Sequence, residues 1–350
     1  MTELTKTTVQ NDPDVQIILV VGNSRSGTTM MGRILGKHKS VFTFNEDHFF
    51  EELWYPEENP QPMGRLDAVK LVARLFSIQR DGYFYQGDIQ KYMDEAERVL
   101  DDLDSSSATP PRVFEAFLKY EAGRYGKNIV CLQTPRNVYY IREILALHPG
   151  AYFVNMIRDP RDVLLSQKRR WLGRFSGSRK IPFFHIVRTW ADYHPITISM
   201  LWRSGIRAGD QFTDSLRVFQ VRFEDLVNAP QEMIQKICTF CNLAYHPEML
   251  MVPQVGSSNR TDKPDQMGID ASVPSRWKQG GLTAAEIHIS QMMTQNGMAR
   301  HNYIKEPVSP NPLAILVSGI AWAGKSILVL IFNRHRVKNL FSAIRKRLVK

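Results

Sequence analysis

Gln16-Ile-Ile-Leu-Val-Val-Gly22-Asn-Ser-Arg-Ser-Gly27-Thr-Thr29 is the stretch whose reading decides the fold. Up to Val21 it is a short apolar run rich in β-branched side chains, which suits a strand covered on both faces, as in a parallel sheet. The run ends in a loop bounded by Gly22 and Gly27. An amphipathic pattern follows, with Met30, Met31, Ile34 and Leu35 apolar. Strand, glycine-bounded loop and helix, in that order, aim backbone N–H groups and the positive end of a helix at an anion. Ser24, Ser26, Thr28 and Thr29 add hydroxyl donors there, and Arg25 adds a guanidinium fork.

The loop is not that of a nucleoside triphosphatase. Gly22 and Gly27 have the spacing of that pattern, but Thr28 stands where a lysine reaches the β- and γ-phosphates. A shorter anionic group remains compatible. A literal match to the triphosphate pattern does occur at Gly319-Ile-Ala-Trp-Ala-Gly-Lys-Ser326. It lies in an apolar segment near the end of the sequence, without the following strands and acidic metal-binding residue that such a loop needs, and is rejected.

Outward from the first strand, three segments have the same buried-strand character: Asn128–Leu132, Ala151–Ile157 and Leu216–Val221. Helical patterns lie between them, as in Val138–Leu147 and Asp162–Trp171. Alternating strands and helices imply right-handed crossovers and an α/β, three-layer, P-loop-like fold with a central parallel sheet flanked by helices. Residues 50–125 read as a mostly helical insertion, with an acidic helix over Tyr92–Leu103 and a loop over Asp104–Pro111. Residues 255–281 are polar and poor in strand signals. The expected organisation is a flexible 1–14, a body over 15–306 and a C-terminal apolar and basic helical tail over 307–350.

Composition excludes several classes. With 43% hydrophobic and 23% charged residues over 350 positions, the chain is neither disordered nor of low complexity. Its three cysteines are too few for a disulfide framework, so a reducing compartment is expected. Cys238 and Cys241 form a CxxC inside an apolar helical pattern, which reads as buried thiols, since no second ligand pair completes a zinc site. The net charge of +10 invites a nucleic-acid partner, but residues 1–306 carry 37 basic and 35 acidic groups, and the eight remaining cations all lie in 307–350. The charge describes the tail, and no nucleic-acid partner is expected.

That tail contains a 20-residue, mainly apolar run, Leu313–Phe332, interrupted by Lys325. A lysine at the centre of a bilayer costs about 2.5–3.5 kcal/mol, which weakens a spanning helix. The following segment places Val337, Leu340, Phe341, Ile344 and Leu348 on one face of a basic helix, the pattern of a helix lying on an anionic membrane. The N-terminal residues lack a signal peptide's apolar core. The reading is a cytoplasmic protein, peripheral or monotopic at the membrane; an oligomer-forming or domain-packing helix pair is the alternative.

The phosphate loop combines with Thr134-Pro-Arg136, Arg158-Asp-Pro-Arg-Asp-Val-Leu-Leu-Ser166, Val221-Arg-Phe-Glu-Asp-Leu-Val-Asn-Ala-Pro230 and Ser275-Arg-Trp-Lys-Gln-Gly280. This ordered set, over roughly residues 15–300, resembles the sulfotransferases that use 3′-phosphoadenosine 5′-phosphosulfate (PAPS), in the branch with protein-tyrosine and bacterial sulfotransferases. The resemblance implies that Ser24, Arg25, Ser26, Gly27, Thr28 and Thr29 hold the 5′-phosphosulfate, that Arg158 and Ser166 hold the 3′-phosphate, and that Arg170 adds a cation one turn later. It also implies Arg276 as a residue closing over the cofactor, and Ser258 as a further contact. A donor with roughly four negative charges calls for several cations and oriented N–H groups. Asp159, Arg161 and Asp162 read as a structural turn and helix cap.

The implied activity is in-line sulfuryl transfer from PAPS to a hydroxyl or amine acceptor of small-molecule, lipid or glycan type, without a metal. Arg25 would stabilise the transition state. The tyrosine branch places a glutamate 21 residues after the loop arginine, which is Glu46 here, so Glu46 is the expected base, ahead of His48 and Asp47. One departure is Gln133, where many relatives have lysine before the Thr-Pro pair. Two other readings stay open at this point: a non-catalytic module that binds PAP, the desulfated donor, or acts as a membrane scaffold, and a P-loop kinase.

Overall fold

A computed structural model describes residues 15–55, 60–83, 87–170, 190–255 and 263–333. In chain order its main elements are β1 (Gln16–Gly22), α1 (Thr28–Gly36), β2 (Val41–Thr43), α2 (Arg65–Asp81), α3 (Met93–Val99), α4 (Pro110–Gly123), β3 (Ile129–Leu132) and α5 (Ile141–Leu147). They continue with β4 (Tyr152–Ile157), α6 (Pro160–Lys168), α7 (Pro195–Asp210), β5 (Val218–Arg222), α8 (Phe223–Asn228) and α9 (Pro230–Phe240), then β6 (Pro253–Gln254), β7 (Lys263–Met267), α10 (Ala284–Arg300) and α11 (Pro312–Asn333). The first five strands form one parallel sheet in the order β2-β3-β1-β4-β5.

The apolar run of β1 is continuous because its two faces feed two cores. Successive strand side chains point to opposite faces. Ile17, Leu19 and Val21 join Phe44, Phe49, Phe76 and Phe117 on one side. Ile18 and Val20 join Met31, Ile34, Leu35, Val221 and Ile237 on the other. Residues 50–125 therefore do more than interrupt the sheet: α2 and α4 supply the layer over the first face. A third cluster, with Ile157, Leu164, Trp202, Ile206 and Met298, packs α6, α7 and α10 together beside β4.

The strand order sets the position of the crevice. β1 leads through α1 to β2 at one edge of the sheet, whereas β4 leads through α6 and α7 to β5 at the other. β1 and β4 are neighbours whose connections depart in opposite directions, and ligands of such sheets bind outside the carboxyl ends of the strands at this switch point.

Local structure departs from the sequence expectations in several places. Pro135–Tyr140 is a 3-10 turn before α5, so the helix expected over Val138–Leu147 starts later. Pro160 starts α6 two residues before Asp162, with Asp159 as the cap. The acidic helix contracts to α3, and Asp104–Pro111 contains a 3-10 turn and the start of α4. The 255–281 region is not free of strands: β7 pairs antiparallel with β6. All five β7 side chains are exposed, so no apolar alternation marks it in the sequence.

Cys131, Cys238 and Cys241 are buried free thiols. Burial pushes Cys131 up to about 12 and Cys238 up to about 11, which keeps both as unreactive thiols. The Gly319–Ser326 match lies inside α11, where no loop exists to cradle a phosphate. Among the described residues no helix is long and apolar enough to cross a membrane. Residues 1–14 and the basic segment 334–350 lie outside the described residues.

Candidate active site

The loop after β1 is built on glycines that nothing else can replace. Gly22 has φ 131°, and a Cβ there would lie 2.3 Å from the Met156 carbonyl oxygen of the neighbouring strand. Gly27 has φ 94°, and its Cβ would lie 2.5 Å from the Phe223 ring. Between them Arg25 itself adopts a left-handed φ of 74°, a conformation that tends to mark functional loops. Gly27 is the N-cap of α1 and supplies no side-chain cap, and Gly27, Thr28 and Thr29 line the crevice at this positive helix end.

The second motif meets this loop directly. Arg25 Nε donates to Ser166 Oγ at 3.0 Å, and Arg158 Nη1 donates to the Arg25 carbonyl at 3.0 Å. Arg158 is only 6% exposed and stacks over Phe223 at 4.4 Å. Among the described residues its Nε and Nη2 have no hydrogen-bond partner, and neither does Ser26 Oγ, which is fully buried. Unpaired donors in a dry site are costly, and the Arg158 nitrogens, on a residue that lines the crevice, fit an anion that completes them.

The electrostatics agree. Burial, followed by repulsion from Arg170 and Arg158, pushes Arg25 down to about 10, with Glu46 acting in the opposite sense. Burial also lowers Arg158, although Asp162, Glu224 and Asp159 oppose the shift. Burial and mutual repulsion thus outweigh the nearby carboxylates at Arg25, and burial does so at Arg158, an arrangement typical of a charged ligand's site.

These groups border one crevice. Ser24, Arg25, Gly27, Thr28, Thr29, Arg158 and Ser166 line its polar part, and Met30, Phe223, Val227, Val252 and Val255 its apolar part. Arg33 Nη1 donates to the Val255 carbonyl at 2.9 Å and ties α1 to the apolar wall.

Glu46 lines the same crevice. Its Oε2 lies 3.5 Å from His48 Nε2, and His48 Nδ1 lies 4.0 Å from Glu52 Oε1. Glu52 also accepts from Arg136 Nη1 at 3.3 Å and from the Tyr83 hydroxyl. Burial acts to raise the Glu46 carboxyl. The His48 hydrogen bond and the charges of His48, Arg136 and Arg170 outweigh it and hold the group below the ordinary carboxylate value. His48 adopts φ 52°, a second left-handed non-glycine residue at the site. Asp47 points the other way: it is buried, accepts from the Phe49 N–H at 2.8 Å, and is pushed up to about 6 by burial.

The remaining sequence candidates divide. Arg170, exposed at the end of α6, stays within electrostatic reach of Arg25 and Glu46. Arg276 is not a crevice-lining residue: it is held by Ser272 through Nε at 3.1 Å and Nη2 at 3.0 Å, and lies 3.8 Å from Asp270. Ser258 lies outside the described residues. Gln133 is buried under α1, where a Cβ on Gly32 would come within 2.8 Å of its Oε1, so the position that departs from the family pattern does not line the crevice.

Sequence reading missed the supports. Trp202 on α7 donates through Nε1 to the Arg158 carbonyl at 2.9 Å, and its own carbonyl accepts from Asn23 Nδ2 at 3.1 Å. One buried helix thus holds both loops. Gly205 permits this approach, because a Cβ there would meet Asn23 Oδ1 at 2.5 Å. Asp162 accepts from the backbone N–H groups of Ser275 at 2.7 Å and Trp277 at 3.0 Å, which anchors the Ser-Arg-Trp segment against α6. Phe223 lies in a quoted motif, but only its distance from Arg158 gives it a role.

A model of the Sulfotransferase family matches residues 17–247. A Caenorhabditis briggsae protein named by inference as a protein-tyrosine sulfotransferase is 24% identical over 67% of this chain and 68% of its own length. An uncharacterised Aquifex aeolicus (strain VF5) protein is 21% identical over 76% of this chain, which spans only 31% of that relative. Among solved structures, the sulfotransferase domain of the curacin biosynthetic pathway superposes with a TM-score of 0.50 and 20% identity, over 83% of this chain and 99% of that domain. The sulfotransferase domain of the Synechococcus PCC 7002 olefin synthase gives 0.51 and 18%, over 83% and 96%. These structures establish likeness of fold.

Proposed function

The chain belongs to the sulfotransferase family, and from that membership we propose that it transfers a sulfuryl group from PAPS to a hydroxyl or amine acceptor. The observation that carries this reading is Arg158: a buried guanidinium with two donor nitrogens unpaired among the described residues, hydrogen-bonded to the loop that follows β1.

The donor, when bound, supplies the activated sulfuryl group and a phosphate leaving group. In this proposal the loop N–H groups with Ser24, Ser26, Thr28 and Thr29 hold the phosphosulfate end. Arg158 and Ser166 hold the 3′-phosphate, and Arg170 adds charge at the rim. The apolar wall of Phe223, Val227 and Val252 excludes water beside the adenine. Arg25 neutralises charge that develops near the bridging oxygen, a fixed cation in a dry site being worth more than one in water. Glu46 Oε2 takes the proton from the acceptor, and His48 and Arg136 keep that carboxylate ionised and oriented. Ser258 and Arg276 are proposed as further donor contacts; for Arg276 this requires giving up its bonds to Ser272.

The acceptor class, a small molecule, lipid or glycan, and a cytoplasmic site of action, peripheral or monotopic at a membrane through 313–350, belong to the same proposal. Glu46 at the crevice favours catalysis over a purely PAP-binding or scaffold role, and Thr28 in place of lysine argues against a kinase. Calorimetry with PAP and with ATP tests the donor; PAP binding with no ATP-dependent turnover is expected. Mass spectrometry of sulfated products in cells with and without the protein identifies the acceptor. Absence of PAP binding removes the proposal.

A further inference from the structure

α11 has two sides of opposite character. On one, Lys325 Nζ donates to the carbonyls of Trp190 at 3.2 Å and Tyr193 at 3.0 Å, and lies 4.2 Å over the Trp190 ring. Trp322 Nε1 donates to Thr197 Oγ1 at 3.0 Å on the same side. The lysine that disfavours a membrane-spanning helix therefore serves as an anchor onto the start of α7. On the other side Leu313, Leu316, Val317 and Ile320 are 63%, 61%, 55% and 67% exposed. At about 100° per residue these four fall within a stripe about 100° wide, centred nearly opposite the anchoring residues. The docking of α11 thus fixes the direction in which the apolar stripe faces.

We propose that this stripe seats the protein on an anionic lipid surface, with α11 lying in the plane of the interface. The inference builds on the membrane association in the proposed function and specifies the face and the lipid charge. The occupant follows from charge. Beyond Asn333 the sequence carries seven Lys and Arg residues and no acidic one, while residues 1–306 are nearly balanced. A basic segment continuing from an apolar stripe complements anionic headgroups. A second copy of the chain would bring two such segments together against their repulsion. α7 precedes β5, so its first residues lie at the carboxyl edge of the parallel sheet, the edge that also carries the crevice. The lipid surface therefore meets the protein at the edge where substrates enter.

The test uses the full chain and sedimentation with phosphatidylcholine vesicles, with and without phosphatidylglycerol. The wild type is expected to sediment with the phosphatidylglycerol vesicles and to be released by high salt. Leu316→Glu with Ile320→Glu places charge on exposed positions and is expected to weaken this partition on the order of a hundredfold. PAP affinity, measured in parallel, is expected to stay unchanged. Wild-type protein that ignores both vesicles, a double variant that still partitions, or a wild-type dimer that the double variant dissolves each overturn the proposal. Vesicle binding without PAP binding leaves the lipid surface standing and removes the sulfotransferase reading; the reverse result removes only the lipid surface.

Discussion

Arg158→Gln separates a ligand-binding guanidinium from a structural one. Among the described residues the Arg158 side chain makes one hydrogen bond, to the Arg25 carbonyl, and leaves two nitrogens unpaired beside Phe223. Burial depresses it despite Asp162, Glu224 and Asp159, and it also depresses Arg25 beside it. Glutamine keeps an amide donor for the Arg25 carbonyl, relieves Arg25 of a like charge, and deprives the three carboxylates of a cation. These changes oppose one another, so the ligand-free protein should shift by less than about 1 kcal/mol, or about 2–4 °C in melting temperature. With PAP bound the balance is one-sided: a buried phosphate loses its charge partner, which costs about 2–5 kcal/mol, or roughly 30- to 4,000-fold in affinity. Calorimetry gives the affinity, and scanning calorimetry without ligand gives the stability. A variant that binds PAP as tightly as the wild type, or that loses several degrees without ligand while keeping its affinity, refutes the assignment.

Other outcomes follow from the same geometry. Glu46→Gln should lower turnover of PAPS by about 10²- to 10⁴-fold, with PAP affinity little changed, as read by PAP release in the presence of an acceptor. Because the Glu46 carboxyl is held below its ordinary value, it stays ionised through neutral pH and is lost as a base only as pH falls through that depressed value; His48→Gln should move the acidic limb of kcat/KM upward. Asp47 shows the opposite sign: its folded value of about 6 exceeds the unfolded one of about 3.9, so its ionisation erodes stability between those pH values. Asp47→Asn, which keeps an acceptor for Phe49, should therefore gain up to about 3 kcal/mol over the wild type above pH 6, and the gain should vanish below pH 4 in urea titrations. Gly27→Ala forces a side chain into φ 94° against Phe223 and should cost about 1–3 kcal/mol and PAP binding, whereas Gly123→Ala, which meets open space, should be neutral or stabilising.

What was legible in the sequence is what burial and close approach impose on neighbours along the chain. The run before Gly22 reads as a two-sided strand because both its faces meet a core. The glycines read as a loop because Met156 and Phe223 leave no space beside them. Arg158 and Ser166 are marked by the family resemblance, whose motif stays short because a strand end and the first turns of one helix hold both residues. Glu46 is singled out only by the family resemblance, which sets a glutamate 21 residues after the loop arginine; no periodicity marks it. Supports that join distant segments left no trace: Asn23 and Trp202 are 179 residues apart, and each looks ordinary where it stands. The strand β7 escaped because it buries nothing, and the placement of Arg276 against Ser272 and Asp270 depends on a turn whose direction the sequence does not encode.

The hydrogen bond from Arg158 to the Arg25 carbonyl joins the two halves of the crevice into a single mechanical part. The peptide plane that sets the left-handed turn of Arg25 rests on a guanidinium from another strand, which a ligand would also grip. If Arg158 and Arg25 grip opposite ends of the donor as proposed, a pull on one end reaches the other through one carbonyl, and recasting the scaffold for a different donor means redesigning both loops together.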